Sequence, residues 1–338
     1  MTKRFQLDSM FPLDLATAGE TARNLELQGF DGVWTTETPN DPYLPLVAVA
    51  LATERVLLGT GVATAFTRSP MVTALSAWNL QKLSKGRFLL GLGSQVKAHN
   101  ARRYSTPVDR PAAQLRELVE VIRHIWGAFQ GEHPLNFIGD FYTFDLFAPM
   151  HSPGPIEHPD IPIYLSAVGP LMYQLAGEVA DGVHVHSFNT PDYLRETALP
   201  QLEKGLQIAG RERSSIELVS ALFAVIGGDS VMDRAVRSQI AFYGSTSSYR
   251  PIFELHGRAE LTDQLKPLAR NGDVDGMIKL VDDDLVDLFA IVADSWSDAA
   301  TIVEHRYGGI LNRVGFYGLE GMVDPSEGPA IVNAFGSG

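Results

Sequence analysis

The sequence contains no cysteine. Disulfides, thiolate metal sites and a cysteine nucleophile are therefore excluded. Positive charge is also scarce: 27 Lys and Arg face 40 Asp and Glu, a formal charge of −13. Nucleic-acid backbones need a basic stripe, so this balance argues against that class of partner. No run approaches the roughly 20 apolar residues of a membrane span. The longest candidate, 56–66, is interrupted by glycines and threonines. After Lys3 and Arg4, the segment Phe5-Gln6-Leu7-Asp8 is not the apolar core of a signal peptide. The expectation is a soluble, cytoplasmic protein with no nucleic-acid or membrane partner. Gly-x-Ser-x-Gly, His-Glu-x-x-His and Walker A patterns are missing as well, so no hydrolase motif is on offer.

What is present is a chain of 338 residues, 45% apolar and 20% charged, which excludes global disorder. Short β-rich runs alternate with helical patterns, the signature of βα units and a parallel sheet. Strands are expected over 5–11, 32–36, 56–62, 87–93, 161–167, 182–186, 216–225 and 313–317. Helices are expected over 13–28, 45–53, 70–83, from Pro111 onward, over 170–180 and about 191–209. Leu115, Leu118, Val119, Ile122, Ile125 and Trp126 share one 3.6-residue face. Eight strands, most followed by a helix, describe an α/β (β/α)8 TIM barrel, read as one domain over 1–338. A doubly wound open sheet competes; the count of eight and the late eighth strand favour closure. Two insertions follow the fourth and seventh strands. The first, about 131–160, is proline-rich and aromatic, with a hairpin expected at 137–142 around a Gly139-Asp140 turn. The second, about 243–276, is polar and Gly/Ser-rich. Each reads either as a lid or as a packing decoration.

In such a barrel the working residues sit at the C-terminal strand ends. The second strand ends near Glu37 and Asp41, either acid–base groups or solvated loop carboxylates. The third carries Gly59 and Gly61 around Thr60. Glycines there mark close approach by a ligand, or close packing. The fourth ends in Gly91-Leu92-Gly93-Ser94-Gln95, but Val96 breaks the dinucleotide fingerprint and no helix is expected directly after it. Lys97, His99, Arg102 and Arg103 then form a basic cluster, read as an anion site or a solvated loop. The fifth strand runs through Ser166, Ala167, Val168 and Gly169 into a helix whose first amides suit a phosphate. The sixth carries His184 and His186 on one face, as metal ligands or as histidines lining the mouth. Together these features suit a large, flat, phosphate-bearing cofactor across the barrel mouth.

Several segments resemble a known family. Gly29-Phe30-Asp31-Gly32-Val33-Trp34, Leu58-Gly59-Thr60-Gly61-Val62, the run from Leu80 to Ser94, and Ser166-Ala167 through Ala180-Asp181-Gly182 are similar to the bacterial luciferase-like superfamily. Within it they resemble the oxidoreductases that depend on the deazaflavin coenzyme F420. The stretch Gly93 to Asn100 is similar to a mycobacterial-type subgroup. The resemblance implies the barrel and a cofactor ring against a bulge after the third strand. It also implies a non-prolyl cis peptide within Thr60, Gly61 and Val62, at Gly61-Val62. The cofactor phosphate would lie on the amides of Ala167, Val168 and Gly169. Gly91, Gly93 and Ser94 would line the cleft, with Gln95, Lys97, Ser166 and His186 beside it. Glu37 or His99 would exchange the proton. Some members carry an acidic residue where this chain has Gln95-Val96-Lys97, and some a histidine where it has Glu37, so the substrate class does not transfer. The resemblance further implies a homodimer or homotetramer acting on a small molecule. The alternatives are an FMN-dependent monooxygenase on the same fold, a metal-dependent hydrolase using His184 and His186, and a cofactor binder without a reaction.

Overall fold

A computed structural model of the chain describes residues 5–10, 13–317 and 323–336. Eight strands form its centre: β1 (Gln6–Ser9), β2 (Gly32–Thr35), β3 (Leu57–Thr60), β4 (Phe88–Gly93), β5 (Ile163–Ala167), β6 (Gly182–Val185), β7 (Glu217–Ile226) and β8 (Arg313–Phe316). Consecutive strands pair in parallel, and β8 returns to pair with β1. The sheet is therefore closed, and the helices between its strands make it a (β/α)8 barrel. Strands in such a barrel are covered on both faces, so they read as apolar runs; β4 is buried at all six positions.

The outer helices follow from their punctuation. Helix Pro111–Gln130 opens on a proline, whose missing N–H is no loss at that position, and closes on Gly131 with φ 85°. It buries the six-residue face expected from its period. The first helix starts at Ala18, with a turn over 15–17 where the sequence led us to expect helix from Leu13. The far end of the expected first strand, Phe11, lies outside the described residues. In the region of 191–209 the helix is interrupted by a π-turn over Leu194–Ala198, just before Pro200. Proline has no N–H to donate, which favours such a local widening.

The insertions differ from each other. The expected hairpin exists, but Phe137–Ile138 pairs with Thr143–Phe144 across four residues, not around a two-residue Gly-Asp turn. The reason lies on helix Pro111–Gln130. The buried Glu117 carboxylate accepts the N–H groups of Asp140, Phe141 and Tyr142 at 2.9, 2.8 and 2.7 Å, which opens the loop. Trp78 Nε1 donates to the Gly154 carbonyl at 3.0 Å and the Gln130 carboxamide holds Ile156. The 131–160 segment is thus laced onto the outer helices, as a packing decoration. The 243–276 segment is largely helical, over Arg250–Leu255, Leu261–Asn271 and Val274–Ile278, and buries Ile252, Phe253, Leu261 and Leu265. It precedes an additional strand, Ala290–Ala293, which pairs with the last four residues of β7.

Candidate active site at the barrel mouth

Below the mouth the barrel is filled by side chains. Asp8, Trp34, Tyr164, His184 and Arg313 meet there: Trp34 Nε1 donates to Asp8 at 2.7 Å, and the His184 ring stands edge-on to Trp34 at 4.6 Å. Thr60 is fully buried, and its hydroxyl staples β3 to β4, donating to the Gly91 carbonyl at 2.7 Å and accepting from its N–H at 2.9 Å. A Cβ on Gly91 would lie 1.8 Å from the Thr60 carbonyl oxygen and 2.8 Å from His184 Nε2. The room left by that glycine is taken by protein. Thr60 and Gly91 therefore belong to the layer beneath the mouth. Burial, reinforced by the Arg313 charge, lowers the His184 pKa to about 3, so its ring is neutral.

Above this layer the Gly61–Val62 peptide is cis, at the expected place. A Cβ on Gly93 would lie 2.6 Å from Val62 Cγ2 and 2.8 Å from Ser166 Oγ. Val62, Gly93 and Ser166 thus form one surface across the ends of β3, β4 and β5. Ala167, Val168 and Gly169 lead on into helix Pro170–Val179, whose N-cap Gly169 provides no side-chain cap. Nothing lies within 4 Å of where a Gly169 Cβ would be. The Tyr193 hydroxyl donates to the Val168 carbonyl at 3.1 Å, fixing the turn from behind.

Glu37 is held firmly. One carboxylate oxygen accepts the Thr64 N–H at 2.7 Å, and both accept from Arg68 Nη1, at 3.0 and 2.9 Å. Arg68 also reaches Asp41 at 2.8 Å and lies over the Tyr43 ring. With its side chain 8% exposed, Glu37 anchors the chain just past the cis peptide. His99, by contrast, is exposed on a short helix, Lys97–Arg102, which the sequence reading lacked. That helix is set by Gln95, which adopts the left-handed conformation at φ 55° and reverses the chain. Asn100 then ties it back through Nδ2 to the Ser94 carbonyl at 2.9 Å. Lys97 Nζ donates to the Asp109 carbonyl at 3.3 Å.

The opposite wall is aromatic. The His186 ring is 4.5 Å from the Tyr243 ring and 4.9 Å from that of Tyr249. The hydroxyls of Tyr243 and Tyr317 are 2.6 Å apart. Burial lowers the His186 pKa to about 4, and its Nδ1 accepts the Phe188 N–H at 3.0 Å, so this imidazole is neutral too. Among the described residues no group of three or more His, Asp or Glu is placed to hold a metal, so His184 and His186 lack the further ligands the hydrolase alternative needs. The sequence reading missed Arg68, Tyr243, Tyr249 and Tyr317 as site residues. Tyr317 alone had a signal, since it ends the expected eighth strand.

Comparison with known proteins agrees with this geometry. The family model described as luciferase-like monooxygenase matches residues 3–310. An uncharacterized protein of Mycobacterium tuberculosis is 40% identical over 316 residues, covering 92% of this chain and 93% of that one. A 5,10-methylenetetrahydromethanopterin reductase of Archaeoglobus fulgidus is 31% identical over 276 residues, 79% of each chain. The solved structure of the coenzyme F420 dependent tetrahydromethanopterin reductase from Methanopyrus kandleri superposes with a TM-score of 0.80 at 26% identity, over 97% of both chains. A closed parallel barrel and a family match over most of the length converge: this chain belongs to the bacterial luciferase-like family, whose members related to it include F420-dependent enzymes.

Proposed function

We propose that the protein is an oxidoreductase that transfers a hydride between coenzyme F420 and an organic substrate at the barrel mouth. The observation that carries the reading is the shallow cradle that Val62, Gly93 and Ser166 form across the ends of β3, β4 and β5. A Cβ at position 93 would strike Val62 and Ser166, so glycine there keeps this surface low enough for a flat ring to lie against it. A phosphate fits the uncapped start of helix Pro170–Val179, where amides converge and Gly169 leaves open space. The similarity to reductases of methylenetetrahydromethanopterin favours F420 over FMN.

When bound, the deazaflavin supplies the two-electron chemistry, giving or taking a hydride. The chain's own residues orient and shield. Val62, Gly93 and Ser166 would hold the ring, and the amides of Ala167, Val168 and Gly169 would hold the phosphate. Glu37, clamped by Arg68, keeps the bulge in place. His186, Tyr243, Tyr249 and Tyr317 close the far side against water. Glu37 is engaged by Arg68 and the Thr64 amide, which leaves the exposed imidazole of His99 to give a proton when the substrate is reduced or accept one when it is oxidised.

The test is a fluorescence titration of cofactor-free protein with F420 and, in parallel, with FMN. Binding of F420 at micromolar or lower concentration, with FMN much weaker, is the expected result. A preference for FMN would move the assignment to a monooxygenase, and binding of neither would remove both.

A further inference from the structure

The segment 97–110 carries Lys97, Arg102, Arg103 and Arg110 against one carboxylate, Asp109, in a chain of net charge −13. Elsewhere on this molecule many arginines are matched with acids, as Arg68 with Glu37 and Asp41, Arg116 with Glu178, Arg237 with Asp233 and Asp283, and Arg250 with Glu254 and Asp263, and others, such as Arg87 and Arg306, are spent on backbone carbonyls. Among the described residues Lys97, Arg102 and Arg103 form no ion pair, and Arg110 has only an exposed partner, Asp140, at 3.9 Å. Exposed pairs of that kind contribute little.

The position of this cluster is as telling as its charge. Left-handed Gln95 and the Asn100 bond to the Ser94 carbonyl fold the segment back beside the end of β4. Arg103 crosses to the other side and donates to the Thr38 carbonyl, in the loop that follows β2. The guanidinium also lies over the Tyr104 ring at 4.8 Å. The cations are thereby held at the rim of the mouth. Like charges within one short segment repel, and a strongly acidic protein has carboxylates to spare for neutralising them. With no carboxylate partner among the described residues, Lys97, Arg102 and Arg103 are free to receive an anion.

We infer that the rim segment 97–110 binds the oxyanion group, carboxylate or phosphate, of a ligand that occupies the barrel mouth. Guanidinium forks at Arg102 and Arg103 suit such a group in bidentate fashion. Two sources share this chemistry: an acidic tail on the cofactor, or an acidic group on the substrate. The inference deepens the hydride-transfer reading, on which it rests for the identity of the ligand but not for its charge.

The experiment uses the full chain and its R102Q/R103Q variant, with R102Q alone as a second variant that spares the Arg103 contact to Thr38. Three probes are titrated: F420 bearing glutamyl carboxylates, F420 stripped of its glutamates, and inorganic pyrophosphate added to the protein with and without cofactor. If the oxyanion is the cofactor's, both variants lose at least about tenfold in affinity for glutamylated F420 and little for the stripped form, as expected for lost charge-assisted bonds. If it is the substrate's, both cofactor forms bind as before and pyrophosphate affinity falls at least about tenfold. Variants that match the unaltered protein for all three probes would overturn the inference. Should F420 fail to bind while pyrophosphate binding still depends on Arg102, the cofactor reading falls and the anion site stands.

Discussion

Arg313, on the last barrel strand, forks onto Asp8, on the first: Nε to Oδ2 is 2.8 Å and Nη2 to Oδ1 is 2.6 Å, with both residues 1% exposed. The pair closes the barrel seam in charge as β8–β1 pairing closes it in backbone. Removing one partner leaves the other buried and uncompensated, which costs about 3–5 kcal/mol. D8A should therefore lower urea-unfolding stability by that amount. The double variant D8A/R313M should recover part of it, a coupling that a double-mutant cycle reads directly. Additive losses would show that the two charges do not depend on each other.

Acid should destabilise the protein through its barrel histidines. The folded pKa values of His184 and His186 are about 3 and about 4, both depressed by burial from 6.5. Between those values and 6.5 the unfolded chain binds more protons. The stability these rings contribute is present in full above pH 6.5 and is lost as pH falls towards 4. Each accounts for roughly 2–3 kcal/mol by pH 4.5. H186N should flatten the slope of stability against pH in that window, as measured by denaturant titration. An unchanged slope would mean that His186 is already protonated in the fold.

Glu37 separates two roles by two readouts. As a clamp on Arg68 and the Thr64 amide, its replacement in E37Q should lower stability by about 1–2 kcal/mol and weaken cofactor binding. As the acid–base group, E37Q would instead cut turnover by orders of magnitude while the melting temperature held. We expect the first outcome from thermal unfolding and F420 titration.

Position 93 tests the cradle. The Cβ of G93A would sit 2.6 Å from Val62 Cγ2 and 2.8 Å from Ser166 Oγ, so those side chains must move into the mouth. F420 affinity should fall at least about tenfold, the equivalent of 1.4 kcal/mol, with a smaller change in unfolding midpoint. Retention of full affinity would place the ring elsewhere.

Helix Leu44–Ala52 is apolar at every position, yet Leu44, Val47 and Leu51 are 55, 41 and 70% exposed. A helix hydrophobic all round belongs in an interior. Beside it runs a groove of about 660 Å³ against helix Pro70–Ser84, lined by Leu80 and Leu83 among others. Ridge and groove on one face suit reciprocal contact about a two-fold axis. Light scattering at micromolar concentration should give a dimer or a multiple of it, and V47E/L51E should give the monomer mass. A monomeric parent protein would remove this expectation.

How far the sequence could be read depended on the range of the interactions. The eight strands announced themselves through local β-rich runs, and the 111–130 helix through its period and its closing glycine. The insertion at 243–276 looked like polar loop because its helices are short and mostly face outward; Ile252, Phe253, Leu261 and Leu265 are among its buried minority. Gly91 shows where a reading of glycines stops. A missing side chain signals room, but its occupants, the Thr60 carbonyl and the His184 ring, arrive from other strands. Arg68 eluded sequence reasoning for the same reason. Nothing local links it to Glu37, 31 positions earlier.

The ten-residue strand β7 spends its first half in the barrel and its last four residues beside Ala290–Ala293. The chain between those two strands is therefore stitched at both ends into the sheet that forms the barrel. Its two ends cannot shift without breaking ladder hydrogen bonds. The wall bearing Tyr243 and Tyr249 is thus tied to the barrel at both of its ends, while the basic rim is tied by Arg103 to the loop after β2.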